Sequence, residues 1–210
     1  MSRFKIYVEG SGDTNKLQAI GREAVSKFLS NLNIDGSIKV IMCGGRQQAY
    51  NDFCVALKNP KEGELPILLV DAEAAMQEEG KPWEHLKIRD GWDKPNNATD
   101  DHAFLMVQTM EAWLICDDSA WKAWKSRADT DKLPKIHNGN VETIEKDKLE
   151  KGCEAVGKSI NFSYLDNKRL SGFGILKNVK PKLVREKSKE ANRFFEFIEV
   201  KIEIEKGKGA

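Results

Sequence analysis

The sequence lacks the features that mark membrane, secreted and zinc-binding proteins. It has no apolar run near the roughly 18–20 residues that a membrane-spanning helix needs, and no secretory apolar segment near its first residue. Its 4 cysteines are widely spaced without a CxxC pair, and its 3 histidines show no zinc-type spacing. We therefore expect a cytoplasmic protein with reduced thiols and no membrane partner.

The sequence also has almost no net charge, but its charges are unevenly distributed. The formal net charge is +1 over 210 residues. Residues 1–118 hold 13 Lys/Arg against 19 Asp/Glu, whereas residues 119–210 hold 21 against 14. An acidic half beside a basic half is compatible with a metal site flanked by a surface that binds a polyanion, although charge runs are often only solvated faces.

The first half of the chain alternates strand-like and helix-like segments. Short apolar runs predict strands at residues 4–8, 37–42, 67–70 and 103–108, and helical spacing predicts helices at residues 14–32 and 47–57. A helix and an irregular loop are expected within residues 74–101. Such alternation favours an α/β fold with a mostly parallel four-stranded sheet and helices on both faces.

The second half is predicted to be mainly helical. Helices are expected at residues 110–114, 119–125, 141–155 and 181–198, with an irregular basic stretch at residues 156–180 and a frayed tail at 206–210. We therefore predict a core at residues 1–118, a basic helical part at 119–205 packed on that core, and the tail.

Acidic side chains lie where the predicted strands end. Because the carboxyl ends of parallel strands meet at one edge of a sheet, these residues are expected to lie close together. Clustered carboxylates repel one another, and a divalent cation with oxygen ligands relieves that repulsion. The predicted strands are followed by Glu9 and Asp13, by Gly44, Gly45 and Arg46, by Asp71 and Glu73, and by Glu111.

Several of these residues also have a purely structural interpretation. Glu9 could favour a helix N-terminus by its charge, and Asp13 could be an N-cap or turn residue. Glu111 could be an exposed helix residue. The turn at Gly44 and Gly45 could bind phosphate with its amides and Arg46, or merely join a strand to a helix.

One motif is set aside. Residues 152–159, GCEAVGKS, match the phosphate-binding string G-x-x-x-x-G-K-[ST]. That loop must follow a buried strand and open a helix, whereas here the preceding residues are EKDKLEK. The tryptophans at positions 113, 121 and 124 are interpreted as packing residues.

The strand-end motifs resemble a known domain. Val8-Glu9-Gly10 and Asp71-x-Glu73 resemble the Toprim domain of topoisomerases, primases and overcoming-lysogenization-defect nucleases. The stretches YVEGSGD, CGGR, LLVDAE, DGWDKP and MVQTMEAWLICD are more similar to an uncharacterised bacterial Toprim-like family, domain of unknown function 4276. The chain has Glu73 where Toprim domains have a second aspartate, and it matches the family's lysine-rich segment only loosely, around Lys168, Arg169 and Lys177.

The resemblance implies a Toprim-like Rossmannoid core and a function. It implies that Glu9, Asp71 and Glu73 are catalytic and hold Mg²⁺, for which Mn²⁺ can substitute. Asp13 and Glu111 are further metal candidates. The expected activity is cleavage of DNA or RNA in anti-phage defence, with an ATPase as a possible partner. The alternative is a non-catalytic sensor or scaffold that binds the ATPase or nucleic acid. The residues predict no oligomeric state.

Overall fold

A parallel sheet forms the centre of the computed structural model, which describes residues 3–10, 14–32 and 38–208. Its four strands lie in the order β2-β1-β3-β4, and all neighbouring pairs are parallel. At the carboxyl end of β1, Val8 lies beside Met42 on one side and Leu69 on the other. The strands are β1 (Arg3–Val8), β2 (Ile38–Met42), β3 (Glu64–Asp71) and β4 (Ala103–Met106).

Nine α-helices are found within the described residues. Thr14 caps the first helix, because its hydroxyl accepts a hydrogen bond from the Leu17 amide at 3.4 Å. The helices are α1 (Asn15–Ser30), α2 (Arg46–Lys58), α3 (Pro82–Asp90), α4 (Met110–Leu114), α5 (Asp118–Trp124), α6 (Lys146–Ser159), α7 (Lys168–Leu176), α8 (Pro181–Arg185) and α9 (Lys189–Lys208).

The sheet is covered on both faces, which confirms the predicted architecture. Alternate residues of β1 enter different cores, since side chains of a strand alternate between the two faces. Ile6 packs in the larger cluster, with residues of α1, α4 and α9, and Tyr7 packs in the smaller one, with residues of α2 and α3. All four cysteines lie in the described part, and no disulfide joins them.

The outer edge of β4 is covered by side chains of α9. The Glu190 carboxylate accepts a hydrogen bond from the Leu105 amide at 3.4 Å, and Arg193 donates to the Ala103 carbonyl at 2.7 Å. Arg193 also lies over the Phe104 ring, at 4.1 Å from its centroid. This acid–base pair satisfies backbone groups that an uncovered strand edge would expose.

The prediction of an irregular stretch at residues 156–180 is wrong. Helix α6 continues to Ser159 and α7 spans Lys168–Leu176, so only the segments on either side of α7 lack α-helix. The glycines that obscure the helical pattern in α7 permit close packing. A Cβ on Gly172 would lie 2.6 Å from the Met110 methyl group, and one on Gly174 would lie 2.9 Å from the Trp124 indole nitrogen.

The helix predicted at residues 181–198 is two helices. Helix α8 ends at Arg185, and α9 begins after Ser188, whose hydroxyl accepts a hydrogen bond from the Ala191 amide at 3.1 Å. Ser188 thus acts as an N-cap that starts a new helix. Helix α9 continues to Lys208, so the tail predicted at residues 206–210 is helical as far as the structure describes it.

No helix in the described ranges has the length and apolarity required to span a lipid bilayer.

Candidate active site

A cleft of about 350 Å³ opens at the carboxyl ends of β1 and β3. Asp13 lies outside the described residues, so its predicted role stays a prediction. The cleft brings together the other predicted site residues, which lie at or beyond the carboxyl ends of all four strands. They are Glu9, Gly44, Gly45, Arg46, Asp71, Glu73 and Glu111.

Glu9 and Asp71 form the centre of the cleft. One carboxylate oxygen of Glu9 accepts a hydrogen bond from the Asp71 amide at 2.5 Å. The Asp71 side chain turns toward α4, where its Oδ1 accepts from the Met110 amide at 2.8 Å. Parallel pairing of β1 with β3 dictates this arrangement, because it places residues 9 and 71 at adjacent strand ends.

Both carboxyl groups are held where negative charge is disfavoured. Burial raises the pKa of Asp71 well above its ordinary value, and the charges of Glu9, Glu111 and Glu73 raise it further. Burial also raises the pKa of Glu9, although the Arg46 guanidinium opposes this effect. A cation placed between them would relieve the repulsion and favour both ionised forms.

Arg46 is clamped between acidic groups. Its guanidinium makes a bidentate contact with Asp90, with two bonds of 2.8 Å, and donates to Glu9 at 3.0 Å and to the Asp71 carbonyl at 2.5 Å. These bonds use four of the five N–H groups of an arginine. Burial would raise the pKa of Asp90, but the hydrogen bonds and charge of Arg46 outweigh it and lower that pKa. Arg46 therefore orients Glu9, and its predicted contact with phosphate stays a prediction.

Two lysines from the C-terminal half neutralise the remaining acids. Glu73 has a left-handed backbone conformation, with φ of 65°, and its carboxylate pairs with Lys146 of α6. Glu111 is fully buried, which excludes the exposed-residue interpretation. Its Oε1 accepts from the Tyr164 hydroxyl at 2.9 Å, and its Oε2 lies 3.5 Å from the Lys168 ammonium group.

The donor chemistry fits Mg²⁺ at Glu9 and Asp71. Within the described ranges, no three Asp, Glu, His or Cys side chains are already grouped as metal ligands. Protein sites for Mg²⁺ commonly supply only one or two carboxylates and leave the other positions to water and phosphate. Glu9 and Asp71 supply such a pair, since each has one oxygen without a hydrogen-bond partner in the described residues.

Four residues of the site, with Lys168 among them, were not predicted as site residues. Asp90 lies within the DGWDKP stretch, but no local pattern indicates that it binds Arg46. Lys146 reaches the site only through the packing of α6. Arg169 lies at the cleft and has no ion pair with any residue that the structure describes. For Lys168 and Arg169, the only available signal was the loose match of this segment to the family's lysine-rich segment.

Comparison with known proteins identifies a family for most of the chain. Residues 8–199 match the family described as "Domain of unknown function (DUF4276)". Among solved structures, the C-terminal region of the Xanthomonas campestris pv. campestris OLD protein is similar, with a TM-score of 0.44 and 17% sequence identity over 97% of each chain. No curated protein matches the sequence significantly.

Proposed function

The chain belongs to the domain of unknown function DUF4276 family, and we propose that it is a magnesium-dependent nuclease that hydrolyses phosphodiester bonds of DNA or RNA. The observation that carries this proposal is the buried Asp71 carboxylate beside Glu9 in an open cleft, with charge that the protein compensates only in part. Perturbed acids of this kind in a cleft are typical of functional sites.

In this proposal Glu9 and Asp71 hold the metal. Mg²⁺, or Mn²⁺ in its place, would supply a Lewis acid for the phosphate and lower the pKa of a bound water. Arg46 fixes the Glu9 carboxylate, and the Met110 amide fixes that of Asp71. Glu73 is the third catalytic candidate, and Lys146 holds it at the rim of the cleft.

Gly44 and Gly45 are proposed to bind a phosphate. Gly45 is the N-cap of α2 and provides no side-chain cap, so first-turn amides of a 13-residue helix are available at the cleft. A Cβ on Gly45 would meet no atom within 4 Å, which leaves space for a ligand to approach the backbone.

The resemblance extends the proposal to a biological role. It implies a cytoplasmic effector in anti-phage defence that works with an ATPase. Neighbouring genes and co-purification with such an ATPase would test that part separately from the chemistry.

A non-catalytic scaffold is the second candidate. It is favoured by three cations of the protein, since Arg46, Lys146 and Lys168 each contact a carboxylate of the cleft. In that case the acids would stabilise the fold and a binding surface.

Isosteric substitution of the two central acids distinguishes the candidates. We expect Glu9→Gln and Asp71→Asn to reduce Mg²⁺-dependent cleavage of mixed nucleic acids by more than the roughly 10- to 100-fold that loss of an outer-shell metal partner costs. The matched control is Glu84→Gln, an exposed residue of α3 outside the cleft. Cleavage that persists in the double variant at the wild-type rate would contradict the proposed site.

A further inference from the structure

The cleft has an apolar interior beneath its charged rim. The polar part of its lining, called the rim here, includes Glu9, Asp71, Glu73, Lys168 and Arg169, and the apolar part, called the interior, comes from side chains of the sheet and of three helices. Those interior residues belong to the larger hydrophobic cluster and pack against one another. The residues that matter here are Val25 and Leu29 of α1, Met106 of β4, Trp113 of α4, and Phe173 and Leu176 of α7.

The size of the whole cleft argues against a packing defect. Voids in native cores are seldom larger than a water molecule, whereas pockets for small molecules begin at about 300 Å³. The helices that bound the space are tightly packed elsewhere. A Cβ on Gly21 of α1 would lie 2.9 Å from both the Phe173 ring and the Met42 methyl group. Helices α1 and α7 are thus in close contact beside a cleft whose whole volume, rim and interior together, is about 350 Å³.

The occupant must be apolar and also joined to an anion. The interior presents aromatic and aliphatic side chains, and the rim presents the proposed metal ligands and the α2 amides. Arg169 is the cation at the rim that has no acidic partner among the described residues. A nucleobase attached to its phosphate combines both properties, because its flat faces stack on aromatic side chains while the phosphate remains at the rim.

We propose that the cavity binds the unpaired base of a nucleotide next to the phosphate held at the rim, and that the protein therefore prefers single-stranded nucleic acid. This inference rests on the proposed function for the position of the phosphate. A paired base cannot enter, because it would first have to leave the duplex at a cost in stacking and pairing. Arg169 would contact the neighbouring phosphate.

Binding without cleavage tests this inference separately from the nuclease activity. The probe is a fluorescein-labelled short oligothymidylate, measured by anisotropy with Ca²⁺ in place of Mg²⁺, and compared with an oligonucleotide of equal length that lacks its bases. We expect the abasic chain to bind at least about tenfold more weakly, which is the scale of one stacked base. Equal affinities for the two chains would overturn the proposal.

A second test measures oligonucleotide binding by variants in which a larger side chain fills the cavity. Val25→Phe adds a ring from α1 and Leu176→Phe adds one from α7, and we expect either variant to bind the intact oligonucleotide as weakly as the abasic one. Because the ring enters existing space, the melting temperature should not fall. The matched control is Val55→Phe, at an exposed position of α2 outside the cavity, which should bind as wild type does.

The outcomes separate the two proposals. The protein could bind the intact oligonucleotide more tightly than the abasic one and yet cleave no nucleic acid with Mg²⁺ or Mn²⁺. That result would support the base pocket and contradict the nuclease proposal. Wild-type binding in a folded Val25→Phe variant would overturn the pocket alone, as would an acyl chain found in the purified protein by native mass spectrometry. If both variants fail to fold, the wild-type comparison of intact and abasic chains decides.

Discussion

The Asp71 side chain lies where burial and neighbouring acids disfavour its negative charge. It is enclosed by β3, β4 and α4, and three other acids raise its pKa in addition to burial. Its raised pKa means that the folded protein binds the proton of this group more tightly than the unfolded chain does. The free energy of unfolding therefore falls as pH rises through the window between the unfolded and the folded pKa, and the penalty is complete above that window.

We expect Asp71→Asn to stabilise the protein at neutral pH. The amide oxygen can still accept from the Met110 amide, while the unfavourable charge is lost. The melting temperature should rise by at least about 2 °C, the shift that about 1 kcal/mol produces in a chain of this size. The difference from wild type should shrink as pH approaches the ordinary Asp value of 3.8.

Calorimetry across this pH range would check the prediction, with Asp131→Asn as an exposed control. A variant that is less stable than wild type at neutral pH would show that the charge of Asp71 stabilises the fold. Added Mg²⁺ should stabilise wild type but not the variant, since only a ligand that binds the folded site raises stability.

Helix α6 contains the string that matches the phosphate-binding motif, and its helical conformation excludes that function. The string GCEAVGKS lies within this helix, so its residues cannot form a loop around a phosphate. Lys158 is 74% exposed and pairs with Glu154 one turn earlier. Gly157 instead serves packing, because a Cβ there would lie 2.6 Å from the Phe162 carbonyl oxygen and 3.1 Å from the Tyr164 amide nitrogen.

We expect opposite results from two adjacent substitutions in this helix. Gly157→Ala should destabilise the protein by about 1–3 kcal/mol, because a backbone segment must move to admit the methyl group. Lys158→Ala should change stability by no more than about 0.5 kcal/mol. Urea unfolding measures both, and nucleotide binding that is lost in Lys158→Ala would restore the phosphate-loop interpretation.

At the scale of the whole molecule, the two halves share one core. Helix α9 places three aromatic rings against elements of the first half. Phe197 contacts Phe4 of β1 at 6.4 Å between ring centroids, Phe195 contacts Phe28 of α1 at 5.9 Å, and Phe194 contacts Phe104 of β4 at 5.0 Å. Residues 119–205 are thus needed to complete the core and also supply one wall of the cleft.

A chain that ends at residue 118 should therefore not fold. Without α7 and α9, the α1 face of the sheet would expose its apolar side chains, and near-UV circular dichroism should show loss of fixed tertiary packing with strong binding of a hydrophobic dye. Removal of residues 206–210 alone is the control and should leave the spectrum unchanged. A cooperatively folded fragment 1–118 would contradict this expectation.

The α/β architecture and much of the site could be predicted because their signals are local. An apolar run followed by an acid indicates a buried strand and the side chain at its end, and parallel pairing then brings Glu9 near Asp71. Asp90 and Lys146 could not be predicted, because their roles depend on the approach of α3 and α6 rather than on neighbouring residues. The break between α8 and α9 was not predicted, because Ser188 is a single residue within an otherwise helical pattern.

By itself, the sequence determined which side chains lie at the strand ends, since alternation of apolar runs and turns defines the strands before any long-range contact forms. Only the tertiary structure decided how those carboxylates are compensated. The guanidinium of Arg46 and the ammonium groups of Lys146 and Lys168 reach them from segments distant in sequence. The apolar cavity is likewise a tertiary feature, because a space between helices is fixed by their packing and leaves no periodic signal in the chain.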